Sequence, residues 1–264
     1  MPDYDCLEYR VEDGAAWVTM DRPDSLNALN PTLLDELEEA IGRAEDEDGV
    51  RAVVLTGRGR AFSAGYDIGA EEAHRSVDDQ ILHQRTHLEA IFSARLPVVA
   101  AVDGPAVAGG CNLAVCCDLT FATERSTFGY PDMHFGEPPP NFVLPFVTNS
   151  LKHARELLYS GKTVDAREAE RMGLVNHVVL DGGLTDAVEE ELAHIRKTPS
   201  TAVAIAKDMV NDVQETGGYR RYGRVEEYVG ALTMESGTAK RFREIRDEEG
   251  LEAALEWMHG TDKP

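Results

Sequence analysis

Lysine is scarce in this chain. Only Lys152, Lys162, Lys197, Lys207, Lys240 and Lys263 are present among 264 residues, against 48 Asp plus Glu. No lysine-rich helix can be drawn anywhere, and a net charge of −22 repels a phosphate backbone, so nucleic acid and anionic lipid are poor partners. Cysteine is nearly as sparse. Cys6, Cys111, Cys116 and Cys117 show neither paired C-x-x-C spacing nor neighbouring histidines, which excludes a zinc site and leaves buried thiols as the expectation. Long apolar runs are missing too: nothing approaches the roughly eighteen residues of a membrane span. The segment Met1–Arg10 carries Asp3, Asp5 and Glu8 without a basic start, so it does not read as a secretory signal, and a cytoplasmic protein is expected. Absent as well are a Walker loop, a dinucleotide G-x-G-x-x-G and a G-x-S-x-G nucleophile elbow. Nucleotide hydrolysis, hydride transfer and serine hydrolysis thereby lose their usual signatures.

What is present is an ordinary globular composition, 42% hydrophobic and 28% charged, with a chain long enough to build its own core. The acid excess is unusual. An acidic, lysine-poor surface suits a cytosolic protein in concentrated salt, where screening over a few ångströms removes self-repulsion. The melting temperature is therefore expected to rise along a salt series; a flat or falling series would reject a halophilic origin of the charge.

Leu7–Val11 and Ala15–Met20 flank Asp13-Gly14 and predict a hairpin. Asn30-Pro31 is a helix start, followed by Leu33, Leu34, Leu37, Ala40, Ile41 and Ala44 at helical spacing. Ala52–Thr56 and Val98–Val102 are continuous apolar runs, the pattern of strands buried on both faces. A short apolar helix is expected from Gly109 to Cys117, then strands at Leu119–Ala122, Thr127-Phe128 and Val175–Val179. Asp165-x-x-Glu168 resembles a capping box and Gly173 its helix stop. From Thr185 onward the pattern is helical, with breaks at Pro199, Gly217-Gly218, Gly237 and Gly250. This order predicts an α/β core over residues 1–198 and a helical region over 199–264.

Two segments share one design, a buried strand that stops at small residues. They are Phe62-Ser63-Ala64-Gly65-Tyr66-Asp67-Ile68 and Gly104-Pro105-Ala106-Val107-Ala108-Gly109-Gly110-Cys111. Small residues admit a ligand close to the backbone, and amides at a helix start favour negative charge. If both turns faced one point, their N–H groups could hold a developing oxyanion. Glycines that merely punctuate strand ends are the alternative.

Several ordered segments resemble the crotonase superfamily of enoyl-CoA hydratases and isomerases. They are Met20-Asp21-Arg22-Pro23 with Leu26-Asn27-Ala28-Leu29, Val53–Gly57, Phe62-Ser63-Ala64-Gly65-x-Asp67, Gly109-Gly110-Cys111 with Cys117-Asp118, Phe128-Gly129-x-Pro131, and Gly173-Leu174-Val175. The resemblance implies a spiral of ββα units, as in the ClpP/crotonase fold, with a C-terminal helical trimerisation region and assembly as a trimer or a dimer of trimers. It implies an acyl-CoA substrate whose coenzyme A is no separate cofactor, and a thioester oxygen held by the amides of Ala64 and Gly109. Arg22, Ser63, Tyr66, Asp67, Ile68 and Gly110 become candidate substrate contacts, although Arg22 equally suits a solvated turn. No metal is implied.

The sequence also departs from the family pattern. Where hydratases place two glutamates, this chain has Asn112 and Asp132. An amide can hydrogen-bond a water or hydroxyl but cannot exchange a proton near neutrality. Asp132 is then the single candidate acid/base, as in relatives that shift a double bond through an enolate. Gly136-Glu137-Pro138-Pro139-Pro140-Asn141, with Gly161-Lys162-Thr163 and Gly173–Asn176, resembles instead the feruloyl-CoA hydratase/lyase group. That group implies a bulky acyl substrate and a helper tyrosine, for which Tyr228 is the candidate and Tyr219 and Tyr222 are rivals. Glu137 could supply the missing carboxylate or be a solvated loop residue. Loss of catalysis with retained CoA binding is the competing class.

Overall fold

Asp13 and Gly14 both take positive φ, +46° and +77°, and this tight turn closes the antiparallel hairpin of β1 (Leu7–Glu12) and β2 (Ala15–Met20). The structure is a computed structural model and describes residues 4–67, 87–135, 143–219 and 237–260. Helix α1 (Pro31–Asp46) begins where expected. The Asn30 side chain accepts from the Leu33 amide, Pro31 occupies the first turn, and all six apolar residues of the predicted stripe are buried.

The main sheet has six strands in the order β1-β2-β3-β4-β6-β9, with β3 (Ala52–Gly57), β4 (Val98–Val102), β6 (Leu119–Thr123) and β9 (His177–Val179) all parallel to β2. Alternation explains the apolar runs. Val53, Leu55, Val98, Ala100 and Val102 point into the main core with α1, whereas Val54, Val99, Ala101, Trp17 and Phe121 pack on the opposite face under Val188 and Leu192. Those two residues belong to α6 (Leu184–Lys197).

A second sheet of three short strands, β5 (Pro105–Val107), β7 (Thr127–Gly129) and β8 (Thr163–Asp165), sits beside helix α2 (Gly109–Cys116). β5 and β8 escape sequence reading because neither has the length to show a period. The remaining helices are α3 (Leu144–Val147), α4 (Leu151–Ser160), α5 (Ala166–Met172), α7 (Ser200–Thr216), α8 (Gly237–Glu249) and α9 (Leu251–His259). At α5 the N-cap half of the box forms: Asp165 accepts from the Glu168 amide at 2.7 Å, and Gly173 ends the helix at φ +88°. The expected strand at Val175 begins two residues later because Asn176 turns its side chain to the Thr120 amide.

The boundary expected after residue 198 falls between α6 and α7. There α7 is tied to the α/β core through polar anchors. Lys207 Nζ donates to the Ile91 and Leu96 carbonyls at 3.0 and 3.1 Å and to Asp118 at 2.8 Å, and Asn211 donates to the Phe92 carbonyl. No described helix is long and apolar enough to cross a membrane.

Candidate active site

The first turn is threaded between two neighbours. Ser63 bridges Ala106 on one edge and Tyr66 bridges Leu29 on the other. The C=O and N–H of one trans peptide point in opposite directions, so known bonds fix the direction of each amide. The Ser63 carbonyl accepts from Val107, and the next amide, Ala64 N–H, accordingly points the other way and donates to the Leu26 carbonyl at 3.0 Å. Ala64 cannot therefore supply the oxyanion donor, which corrects the expectation above. Gly65, at φ +97°, reverses the alternation. Its carbonyl accepts from Leu29, so the following amide, that of Tyr66, points away from Leu29 and toward the side of β5 and α2.

Gly109 stands at that side as the first residue of α2. The Ala108 carbonyl accepts from the Cys111 and Asn112 amides, which turns the Gly109 N–H outward from the helix end. Among the described residues, this N–H has no hydrogen-bond partner. Ala108 holds it there at φ 52°, ψ −128°, a conformation costing a non-glycine residue about 1–3 kcal/mol. A 2.8 Å bond from the Ala108 amide to the Gly129 carbonyl helps impose it. Nothing in an alanine announces this strain, so Ala108 was not legible in the sequence.

The two turns converge. A Cβ placed on Gly65 would lie 3.1 Å from the Gly109 nitrogen, and one on Gly109 would lie 2.6 Å from the Tyr66 ring. Gly110 is packed against the first turn: a Cβ there would meet the Ser63 carbonyl oxygen at 2.4 Å. Gly110→Ala is expected to force the turns apart and destabilise the fold by about 1–3 kcal/mol, with turnover falling more than tenfold as a donor is displaced. Melting and steady-state rates check this; an unchanged rate would show that the spacing of the turns is irrelevant.

Other predicted contacts have structural work. Ser63 is fully buried, and its Oγ donates to the Asn27 carbonyl at 2.8 Å while accepting from Gly65. Its side chain and the buried Gly110 shape the turn rather than touch a ligand, a second correction. Arg22 donates to Asp67 at 2.9 Å and to the Ala28 carbonyl, so this pair braces the first turn, with the Arg22 side chain still 22% exposed. Buried Asn27 completes the brace by accepting from the Arg22 amide and donating to the carbonyls of Arg58 and Ala61.

Asn112 lies one helical turn after Gly109, fully buried, and accepts from the Tyr130 hydroxyl at 2.9 Å. Asp132 sits in the 3-10 turn Pro131–Phe135 that follows β7, and α8 packs against this turn. Cys111, between these groups, is pushed up to about 12 by burial, so the thiol stays protonated. Tyr219 is buried, stacked on Phe92 at 4.0 Å, and its hydroxyl is pushed far above its ordinary range by the same desolvation; it is a core residue, not a substrate helper. Ile68, Glu137, Tyr222 and Tyr228 lie outside the described residues.

The profile of the family described as Enoyl-CoA hydratase/isomerase matches residues 10–244. This chain belongs to the enoyl-CoA hydratase/isomerase family. A putative enoyl-CoA hydratase of Thermus thermophilus is 37% identical over 218 residues, covering 76% of this chain and 82% of the relative. A hydroxycinnamoyl-CoA hydratase-lyase of Pseudomonas fluorescens is 28% identical over 268 residues and covers 95% of both chains. The crystal structure of an enoyl-CoA hydratase/isomerase from Xanthobacter autotrophicus Py2 superimposes with a TM-score of 0.92 at 31% identity, over 99% of this chain and 100% of that one. The crotonase-type fold is thereby the fold of this family member.

Proposed function

We propose that this enoyl-CoA hydratase/isomerase family member binds an acyl-CoA thioester with the carbonyl oxygen between the amides of Tyr66 and Gly109. The observation that carries the reading is the approach of Gly65 to the Gly109 nitrogen, with the Gly109 N–H directed outward from the helix start. Two such donors stabilise an enolate oxygen, and one alone is typically worth about 10²–10³ in rate. Asp132 is the acid/base in this reading. In hydration, water gives its hydroxyl to the β carbon and a proton reaches the α carbon; in a double-bond shift, the carboxylate takes a proton from one carbon and returns it to another. Asn112 exchanges no proton, so a two-carboxylate relay is not part of the proposal. Coenzyme A enters with the substrate, and Arg22, at the edge of the first turn, is a candidate for its phosphates.

A hydratase/lyase acting on an aromatic enoyl-CoA is the second reading. It is favoured by the hydroxycinnamoyl-CoA hydratase-lyase, which aligns along more of the chain than the relative of higher identity quoted above. Turnover of straight-chain 2-enoyl- and 3-enoyl-CoAs beside aromatic enoyl-CoAs tests both. Hydration or isomerisation of straight chains supports the first, hydration of the aromatic enoyl-CoA followed by cleavage of its Cα–Cβ bond with the thioester intact supports the second, and acyl-CoA binding without any turnover would show a catalytically silent homologue.

Self-association belongs to the same proposal. Ile205, Met209 and Val213 recur every fourth residue on α7, flanked by Val210, and are 59%, 66%, 73% and 61% exposed respectively. An apolar stripe of this kind marks an interaction surface. A trimer or hexamer is expected by light scattering, and Met209→Asp with Val213→Asp should reduce it to smaller species; a monomeric wild-type protein would overturn the assembly.

A further inference from the structure

We propose that the Tyr66 side chain is the specificity-determining wall of the acyl site and restricts it to thioesters unbranched at the carbon next to the carbonyl. The ring is set against the second turn. A Cβ placed on Gly109 would lie 2.6, 2.8 and 3.1 Å from the ring carbons Cε2, Cδ2 and Cζ. Gly109 takes no positive φ, so its backbone would accept an alanine, and it is the ring that excludes a side chain there. A Cβ stands about 2.5 Å from its own nitrogen, which brings Cε2 of Tyr66 within about 5 Å of the Gly109 nitrogen. A group held by that N–H therefore lies beside the ring. The ring also has a neighbour in the interior. It meets His87 edge-on, with centroids 6.1 Å apart at 75°, and packs against the main core, where His87 and Leu88 are fully buried. Packed between Gly109 and His87, it subtracts its volume from the site.

The backbone gives the side of the thioester on which this wall stands. Tyr66 pairs with Leu29 through an isolated bridge, and in extended pairing successive side chains leave opposite faces. Tyr66 thus turns inward while Asp67 turns to Arg22, whose side chain is 22% exposed at the edge of the turn. The polar coenzyme A must reach solvent and leaves on the Arg22 side, so the acyl group takes the inward side, along the Tyr66 ring. With the thioester oxygen between the two amides, the first acyl carbon beyond the carbonyl is the one the ring borders. A methyl branch on that carbon meets the ring, whereas a longer unbranched chain runs past it.

This inference rests on the acyl-CoA reading above, and binding separates the two. On the wild-type protein, 2-methylbutyryl-CoA should bind at least tenfold more weakly than butyryl-CoA, the scale of a methyl group pressed on a pocket wall. Equal affinities would overturn the wall and leave the reading intact, while binding of neither thioester would defeat the reading and the wall with it. In turnover, Tyr66→Ala keeps the amide and removes the ring. The kcat/KM for a 2-methyl-branched 2-enoyl-CoA relative to its unbranched counterpart should then rise at least tenfold over the wild-type ratio, and Tyr66→Phe should leave that ratio as it is. A ratio unmoved by Tyr66→Ala would overturn the proposal, because a merely structural ring affects both substrates alike. Discrimination in binding with no turnover of either substrate would defeat the enolate chemistry and leave the wall standing. Melting checks the contact itself: Gly109→Ala should lower Tm in the wild-type background and cost little more in Tyr66→Ala, and additive losses would overturn the placement of the ring. If Tyr66→Ala fails to fold, the wild-type affinities decide.

Discussion

Asp132→Asn is expected to lower turnover of the best enoyl-CoA by roughly 10²–10⁴, the usual contribution of a positioned acid/base, while acyl-CoA affinity changes little. The substitution keeps the shape of the side chain and removes only its proton chemistry, so the 3-10 turn Pro131–Phe135 and its packing against α8 should survive. With Asn112 unable to exchange a proton, no second carboxylate at that position can compensate. Steady-state rates and acyl-CoA binding isotherms, measured on the same preparation, decide the outcome. Wild-type rates in the variant would move the role to Glu137 or to water, whereas parallel loss of rate and affinity would point to a collapsed turn.

The second large effect concerns stability. Lys207→Met is expected to destabilise the fold by about 2–5 kcal/mol, because the Ile91 and Leu96 carbonyls lose their donor at about 1–3 kcal/mol each and the more exposed Asp118 loses its partner. The Lys207 side chain is 6% exposed and its three donors are all used, on two carbonyls and on Asp118. Asp118 also accepts from the Val98 amide at 2.7 Å, so the pair links α7 to the first residue of a central strand. For a chain of this size the loss corresponds to a fall in Tm of roughly 4–20 °C. Adding Asp118→Asn should recover part of it by removing the stranded charge. A fall of only a degree or two in the single variant would show that the anchor is dispensable.

Legibility followed the range of the interaction. Asn30-Pro31, Asp165-x-x-Glu168 and Asp13-Gly14 act on amides within a few residues, and each behaves as the local chemistry dictates. β5 and β8 are three-residue strands held by partners distant in the chain, β7 for both and the Ser63 turn for β5. The family resemblance implies Ala64 as a donor. The φ of Gly65, the Leu26 carbonyl and the Leu29 amide give that direction to Tyr66 instead, and both leucines lie more than thirty residues away along the chain.

By itself the sequence determined the alternation of the strands, the helix caps, the family, and the substitution of an amide for one carboxylate. These depend on residue type and short spacing, which a linear text records. Only the tertiary structure decided which amide faces the gap, that Ser63 and Gly110 are packing elements, and that Tyr130 meets Asn112. Each of those depends on a peptide plane or side chain oriented by partners distant in the chain, and orientation is fixed only when the partners close around it.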